Sequence, residues 1–249
     1  MDPLASKMPG WSPYNYVLGN PIGLVDPDGR EPEPPKTIFV FYHGGPTGGG
    51  QRVSNTGTVT EDIMNTAIAE VNGLGRNAVG TVIAPGWKQD AGVATGKAFL
   101  DANYVEGDQV VLFGYSYGGD NAVNLARVAG VPVDAMLIVD SSDGPMRGST
   151  VQTEVTENVN TTLNVYQRET SRGSLVTGPN SDNPNRSENS SSDGTSDSPG
   201  SRGYPHSARG NNRVHNLDAS APNVNHGNIQ SAKRKTLDGF LKDVIHDYQ

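Results

Sequence analysis

The sequence predicts an α/β fold in which a mainly parallel sheet is flanked by helices. Short apolar runs rich in Val, Ile, Leu and Phe alternate along the chain with segments of helical character. At one junction, residues 114–118 form the sequence Gly-Tyr-Ser-Tyr-Gly between an apolar run and an alanine-rich segment. Strands that alternate with helices indicate a parallel sheet that is covered on both faces.

Composition limits the classes of protein to which this chain can belong. Its 249 residues suit one α/β domain with extensions, although only 34% of them are hydrophobic. The formal net charge of −8 argues against a surface that neutralises nucleic-acid phosphates. The chain has no cysteine, which excludes disulfides, thiolate metal ligands and a cysteine nucleophile. We find neither an apolar run that would span a bilayer nor a signal peptide at the start.

The elements of the predicted fold can be placed in order. Apolar, β-branched runs mark the strands, and amphipathic or alanine-rich segments mark the helices. The first helix has Thr60 as its cap and acidic residues in its first turn, and the third helix ends before Gly130. The predicted strands are residues 37–42, 79–84, 109–113, 133–139 and 161–167, and the predicted helices are residues 60–74, 91–103, 120–129 and 230–248.

Ser116 is the candidate nucleophile. It lies between a strand and a helix, with Gly114 and Gly118 two positions away on either side. Such a turn is so tight that side chains at the glycine positions would collide, while the serine is pushed out at the end of the strand. A glycine-rich turn that merely contains a serine is the alternative. The rest of the chain must therefore supply a base, an acid and an oxyanion hole.

The segment after the first strand is a candidate oxyanion loop. The strand opens into His43, Gly44 and Gly45, which resembles the His-Gly-Gly loop of lipases and esterases. That resemblance implies oxyanion donors at the backbone N–H of Gly44 or Gly45 and at that of Tyr117. A flexible glycine loop and a phosphate cradle are the alternatives, but the cradle lacks the Gly-Lys-Ser/Thr sequence of a P-loop.

Two further residues would complete the site in the chain order Ser, Asp, His. Asp140 directly ends the strand after the nucleophile unit, and Asp143 is the alternative acid. His226 lies in the loop before the final helix and is the expected general base, with His215 as its competitor. Of the other three histidines, one belongs to the oxyanion loop, one to a polar segment and one to the last helix.

That polar segment, residues 170–212, is repetitive and has almost no apolar side chains. A segment of this composition buries too little surface to offset its ordering entropy, so we expect a flexible, disordered insertion. We favour a solvated loop without function over a lid above the site.

The first thirty residues carry several motifs in a fixed order. They are residues 2–5 (Asp-Pro-Leu-Ala), 11–17 (Trp-Ser-Pro-Tyr-Asn-Tyr-Val), 20–21 (Asn-Pro) and 26–29 (Asp-Pro-Asp-Gly). This stretch resembles the closing end of an Rhs or YD-repeat core, which implies a β-shell around a C-terminal toxin that is released at the Asp-Pro-x-Gly motif. A generic proline-rich linker is the alternative. We therefore expect residues 1–35 to be the end of the core with an extended spacer, and residues 36–249 to be the functional domain.

Three short motifs in residues 36–249 carry a second resemblance. They are the Val-Asp pair that ends at Asp140, residues 164–167 (Asn-Val-Tyr-Gln) and residues 223–227 (Asn-Val-Asn-His-Gly). With the serine turn, they resemble a bacterial lipase or esterase of the α/β-hydrolase superfamily. The same plan occurs in some phospholipase toxins of contact-dependent (type VI) secretion. The resemblance implies an ester substrate, for which a lipid is the natural expectation, and no cofactor or metal.

Together the two resemblances imply an antibacterial effector toxin. Such a chain would be made in the producer's cytoplasm, enclosed by the Rhs core shell and delivered to the periplasm or membrane surface of a target bacterium. A cognate immunity protein would block it, and no nucleic-acid partner is expected. Two alternatives remain open: another serine hydrolase, such as a thioesterase or an amidase, and a non-catalytic binding toxin that keeps the fold.

Overall fold

A seven-stranded sheet organises the molecule. The computed structural model describes residues 34–45, 47–142, 151–168 and 203–248. The strands are β1 (Thr37–Tyr42), β2 (Arg52–Val53), β3 (Ala78–Ile83), β4 (Gln109–Tyr115), β5 (Val133–Val139), β6 (Glu154–Val155), β7 (Val159–Tyr166), β8 (Ser207–Ala208) and β9 (Arg213–Asp218). The helices are α1 (Val59–Gly73), α2 (Gln89–Asn103), α3 (Tyr117–Val128), α4 (Ile229–Ala232) and α5 (Arg234–His246).

The strand order across the sheet is β2-β3-β1-β4-β5-β7-β9. Neighbouring strands are parallel except β2, which pairs antiparallel with β3. β6 and β8 form a separate pair of two-residue parallel strands. The predicted class, a mainly parallel sheet flanked by helices, is therefore confirmed. Because the strands are parallel, their carboxyl ends meet at one edge, where ligands of such sheets bind.

Both faces of the sheet are buried, which explains why its strands are continuous apolar runs rather than alternating ones. In β1, Phe39 and Phe41 face one core, to which Ile63 of α1 and Leu241 of α5 also belong. Their neighbours in β1 face a second core that α2 and α3 cover. All six residues of β1 are buried, so this strand lies at the centre of both cores.

The structure differs from the prediction near the C-terminus. The final helix was expected to be continuous over residues 230–248, but it is divided into α4 and α5 at Lys233. Lys233 has φ −109° and ψ 12°, which interrupts the helical backbone. No strand was predicted at the position of β9, because four of its six residues are polar or charged. Their exposure fits a strand at the edge of the sheet.

The predicted polar segment ends earlier than its composition indicates. Residues 203–212 were included in it, yet Tyr204 and His206 are buried and β8 lies between them and β9. Residues 170–202, like the first 33 residues with the Rhs-like motifs, lie outside the described residues. Within the described ranges, no helix combines the length and apolarity that crossing a bilayer requires.

Candidate active site

Ser116 occupies a sharp turn between β4 and α3. Its backbone has φ 57° and ψ −131°, a conformation that costs a non-glycine residue about 1–3 kcal/mol. Two hydrogen bonds hold the turn to the end of β5: the Ser116 N–H donates to the Val139 carbonyl (3.0 Å), and the Ser116 carbonyl accepts from the Ser142 N–H (3.1 Å). A third bond lies within the turn, from the Gly119 N–H to the same Ser116 carbonyl (2.8 Å). The strained backbone is therefore maintained by the neighbouring strand.

The two glycines of the turn are required by close backbone contacts, as the sequence predicts. A Cβ atom on Gly114 would lie 2.2 Å from the carbonyl oxygen of Gly118. A Cβ atom on Gly118 would lie 2.5 Å from the carbonyl oxygen of His43. Both distances are far below van der Waals contact, so no side chain fits at either position.

The structure brings the three predicted residues Ser116, His226 and Asp140 into one hydrogen-bonded chain. The Nε2 atom of His226 lies 2.8 Å from Ser116 Oγ. The Nδ1 atom of the same ring lies 2.7 Å from Asp140 Oδ2. An imidazole held at Nδ1 by a carboxylate presents a free Nε2 lone pair to the serine hydroxyl. This arrangement can remove the serine proton as the oxygen attacks an electrophile.

Asp140 is fully buried directly after β5, and it too has a positive φ, of 47°. Its backbone N–H donates to the Val165 carbonyl at 2.7 Å. Its carboxylate accepts from the Gln167 backbone N–H at Oδ1 (3.3 Å) and from Gln167 Nε2 at Oδ2 (3.0 Å). A buried carboxylate is costly unless it is hydrogen-bonded, and these donors, with His226, meet that requirement.

His226 lies on a loop, residues 219–228, and Tyr115 supports it from the end of β4. The Tyr115 ring stacks on the imidazole with ring centroids 5.2 Å apart and an angle of 26° between the planes. The Tyr115 hydroxyl also donates to the backbone carbonyl of His226 at 2.5 Å. Asn228 fixes the loop, because its side chain bonds the backbone of both Asn225 (2.8 Å) and Asn223 (2.8 Å).

The predicted oxyanion loop lies against Ser116. A Cβ atom on Gly44 would lie 3.3 Å from Ser116 Cβ, which shows how closely the backbone approaches the serine. The His43 ring bonds the Gly44 carbonyl at 2.6 Å and so orients this peptide. Among the described residues, none accepts a hydrogen bond from the backbone N–H of Gly44, Gly45 or Tyr117. These N–H groups are the oxyanion donors that the sequence predicts.

The N-terminus of α3 contributes partial positive charge next to Ser116 and the predicted oxyanion donors. Tyr117 begins the helix, and aligned peptide dipoles place partial positive charge at a helix N-terminus. The Tyr117 side chain is itself buried, and this burial, together with the negative charges of Asp120 and Asp90, raises the pKa of its phenol to about 12.

The alternative base His215 does not lie in this hydrogen-bonded chain. His215 is exposed on β9, and Asp143 lies outside the described residues. His206, which the sequence assigns to the polar segment, is buried, and burial lowers its pKa to about 4, an effect that hydrogen bonds to the backbone of Tyr204 and Gln152 offset only in part. Within the described ranges, no group of three His, Asp or Glu side chains could hold a metal ion.

Sequence reasoning missed two residues that support the site. Tyr115 and Gln167 were noticed only as parts of the serine turn and of a strand. Their contacts join residues 111 and 27 positions apart, so no local pattern could reveal them. The only usable signal is that a tyrosine ends β4 and a glutamine directly follows β7, at the carboxyl ends of their strands.

No protein-family model matches the chain, and no curated protein matches it. Solved structures with a similar fold include a dienelactone hydrolase from Anabaena variabilis, 14% identical, with 90% of each chain covered and a TM-score of 0.46. A hormone-sensitive lipase from a metagenome library is 13% identical over 86% of this chain and 77% of its own, with a TM-score of 0.45. Est1E from Butyrivibrio proteoclasticus is 10% identical over 90% and 93%, with a TM-score of 0.41. The sheet order of this chain and the strand–turn–helix position of Ser116 themselves make its fold α/β-hydrolase-like.

Proposed function

We propose that this protein is a serine ester hydrolase that works through an acyl-enzyme. The observation that carries the proposal is the continuous chain from Ser116 Oγ through the His226 ring to Asp140, with distances of 2.8 and 2.7 Å. These are normal hydrogen-bond lengths, and the base is oriented by a buried acid. The close approach of Gly44 and the N-terminus of α3 supply a place for the oxyanion.

In the first half-reaction, Ser116 Oγ attacks the carbonyl carbon of the ester while His226 Nε2 accepts the hydroxyl proton. The carbonyl π electrons move to oxygen, and the backbone N–H groups of Tyr117 and of Gly44 or Gly45 bind the oxyanion. When this intermediate collapses, the C–O bond to the alcohol breaks and the imidazolium returns the proton to the alcohol. Asp140 holds the Nδ1–H tautomer and stabilises the cation throughout.

In the second half-reaction, water takes the place of the alcohol. His226 accepts a proton from water as the water oxygen attacks the acyl carbon. A second oxyanion forms in the same position and collapses, the Ser116 Oγ–acyl bond breaks, and Oγ recovers the proton. The products are a carboxylic acid and free enzyme.

The test is labelling of the full chain with a fluorophosphonate, which reacts with activated serines. We expect the unmodified protein to be labelled and the Ser116→Ala and His226→Ala variants to lose labelling. Two matched controls carry the same changes elsewhere: Ser54→Ala, at an exposed position directly after β2, and His215→Ala on the exposed edge strand. Both controls should be labelled like the unmodified protein. A folded, unmodified protein that is not labelled would refute the proposal in favour of a binding toxin.

A lipid ester is the proposed substrate, and the support for it is the resemblance of residues 1–30 to an Rhs core end, since lipid cleavage would injure a competitor cell. By that resemblance the protein would be a delivered toxin with an immunity partner. Thioesters and amides share the mechanism, so a panel of acyl esters, thioesters and amides should separate them. Production of the chain in the periplasm of a susceptible bacterium should stop growth, and Ser116→Ala should abolish the effect. Growth arrest by the Ser116→Ala variant would favour the non-catalytic toxin.

A further inference from the structure

Gln167 follows β7 directly and is fully buried. Its backbone N–H and its side-chain amide both donate to the carboxylate of Asp140: the backbone N–H to Oδ1 (3.3 Å) and Nε2 to Oδ2 (3.0 Å). Buried polar side chains are hydrogen-bonded, and the partner of this amide is the candidate acid.

The oxygen that Gln167 Nε2 contacts is the one that binds the histidine. Oδ2 accepts from His226 Nδ1 at 2.7 Å as well as from Gln167. Two donors on one oxygen and a third on the other fix the rotation of the carboxylate about its Cβ–Cγ bond. That rotation decides where the His226 ring lies, and hence where Nε2 meets Ser116.

The β7 end holds Asp140 through the backbone as well. The Asp140 N–H donates to the Val165 carbonyl at 2.7 Å, so Val165 binds the main chain of the acid and Gln167 binds both of its carboxylate oxygens. These hydrogen bonds compensate for the positive φ of 47° at Asp140, a conformation that persists only when its surroundings determine it.

The donor is also of the right chemical type. An amide N–H is neutral, so it orients the carboxylate and leaves its full negative charge available to the imidazolium. A lysine or arginine at the same place would form an ion pair with Asp140 and compete with His226. The carboxylate has to stabilise the His226 imidazolium each time it forms. For that it must be oriented but must keep its negative charge.

We propose that Gln167 is a positioning residue that sets the orientation of Asp140 and, through it, the His226 ring. This inference rests on the proposed function. Gln167 does not touch the reacting atoms, so its removal should lower the rate of the chemical step and leave substrate binding unchanged.

The experiment compares Gln167→Met with Asn164→Leu in the full chain. Both changes replace a buried amide by an apolar side chain of similar size, three positions apart. Asn164 bonds the Tyr204 carbonyl and the Asn216 side chain, each at 2.9 Å, and neither belongs to the site. With a soluble ester we expect Gln167→Met to lower kcat by roughly 10- to 100-fold at constant KM, as displaced catalytic groups do. Asn164→Leu should leave kcat unchanged, even where it lowers Tm as much.

A proton NMR spectrum adds a readout that a purely structural role would not move. The proton between His226 Nδ1 and Asp140 should give a signal far downfield of the amides, and Gln167→Met should shift or broaden it while Asn164→Leu does not. If Gln167→Met fails to fold, Gln167→Asn serves in its place: it keeps a polar amide but is one methylene shorter, so it draws the donor away from Asp140 Oδ2 and should lower kcat likewise. An unchanged kcat and an unchanged downfield signal in a folded Gln167 variant would overturn the inference. Absence of fluorophosphonate labelling in the unmodified protein would instead refute the proposed function.

Discussion

Two halves of the site are positioned in different ways. Ser116 and Asp140 form a strand-borne half: they follow the adjacent parallel strands β4 and β5, are buried and have φ values of 57° and 47°. His226 forms a loop-borne half on residues 219–228, most of which are at least partly exposed. The first half is set by backbone hydrogen bonds to the next strand, and the second by a few side chains.

The difference teaches where function and stability can be separated. A change in the strand-borne half disturbs the two-sided core that surrounds the sheet, so it should affect folding and activity together. A change in the support of the loop-borne half leaves that core intact and should affect mainly activity. Three substitutions test this contrast, from the largest expected effect to the smallest.

Gly114→Ala should break the strand-borne half. Its Cβ would lie 2.2 Å from the Gly118 carbonyl oxygen and 2.5 Å from Gly119 Cα, and these backbone atoms cannot move without displacing α3. We expect the free energy of unfolding in urea to fall by more than about 3 kcal/mol. Gly239→Ala is the control, because a Cβ on Gly239 in α5 meets nothing within 4 Å, and it should stabilise the protein by about 0.5–1 kcal/mol. Equal stability of the Gly114→Ala and unmodified proteins would contradict the contrast.

Tyr115→Phe should affect activity more than stability. The change removes the hydrogen bond to the His226 carbonyl and keeps the ring that stacks on the imidazole. We expect kcat to fall about fivefold, the equivalent of one ordinary hydrogen bond, and Tyr115→Leu to lower it further because the stacking is lost as well. Tyr248→Phe loses a similar hydroxyl-to-carbonyl bond, to Gly107, and should leave kcat unaltered. If both phenylalanine variants kept full kcat, Tyr115 would have no part in placing His226.

Asn228→Ala should have the smallest effect, confined to the histidine loop. It removes the side-chain bonds to the backbone of Asn225 and Asn223, in a part of the loop open to solvent. We expect kcat to fall about two- to threefold, with less than about 1 kcal/mol lost from the free energy of unfolding. Asn223→Ala keeps the backbone carbonyl that Asn228 uses and provides the comparison. If Asn228→Ala lowered the free energy of unfolding by more than about 1 kcal/mol and left kcat unchanged, the loop would behave as part of the core, contrary to the contrast.

The strand-borne half could be predicted from sequence because its signals are local. Ser116 is marked by glycines two positions away, and Asp140 by the apolar run that it ends. Both are consequences of strand geometry, which short stretches of sequence encode. The same signals placed the elements from β1 to β7 within three residues of their observed bounds, apart from the two-residue strands.

What could not be predicted depends on contacts between distant residues. Gln167 meets Asp140 only because β5 and β7 lie side by side. Tyr115 meets His226 only because the loop after β9 returns to the end of β4. His206 was grouped with the polar segment because the sequence around it is mostly polar, whereas its partner Asn216 lies on β9. Its burial depends on Asn216, whose side chain bonds the His206 backbone N–H and carbonyl at 2.8 Å each. Composition around a residue says little about a partner that approaches from another strand.

The polar character of β9 has a consequence for how copies of this protein meet. A strand at a sheet edge offers unpaired backbone groups on which a second sheet can grow. β9 places Arg213, His215 and Asp218 in exposed positions along that edge, and the opposite edge is the two-residue β2. The charged side chains along β9 and the short length of β2 disfavour edge-to-edge pairing of two sheets. The described sheet is therefore protected from growing into an intermolecular one, even where many chains are concentrated together.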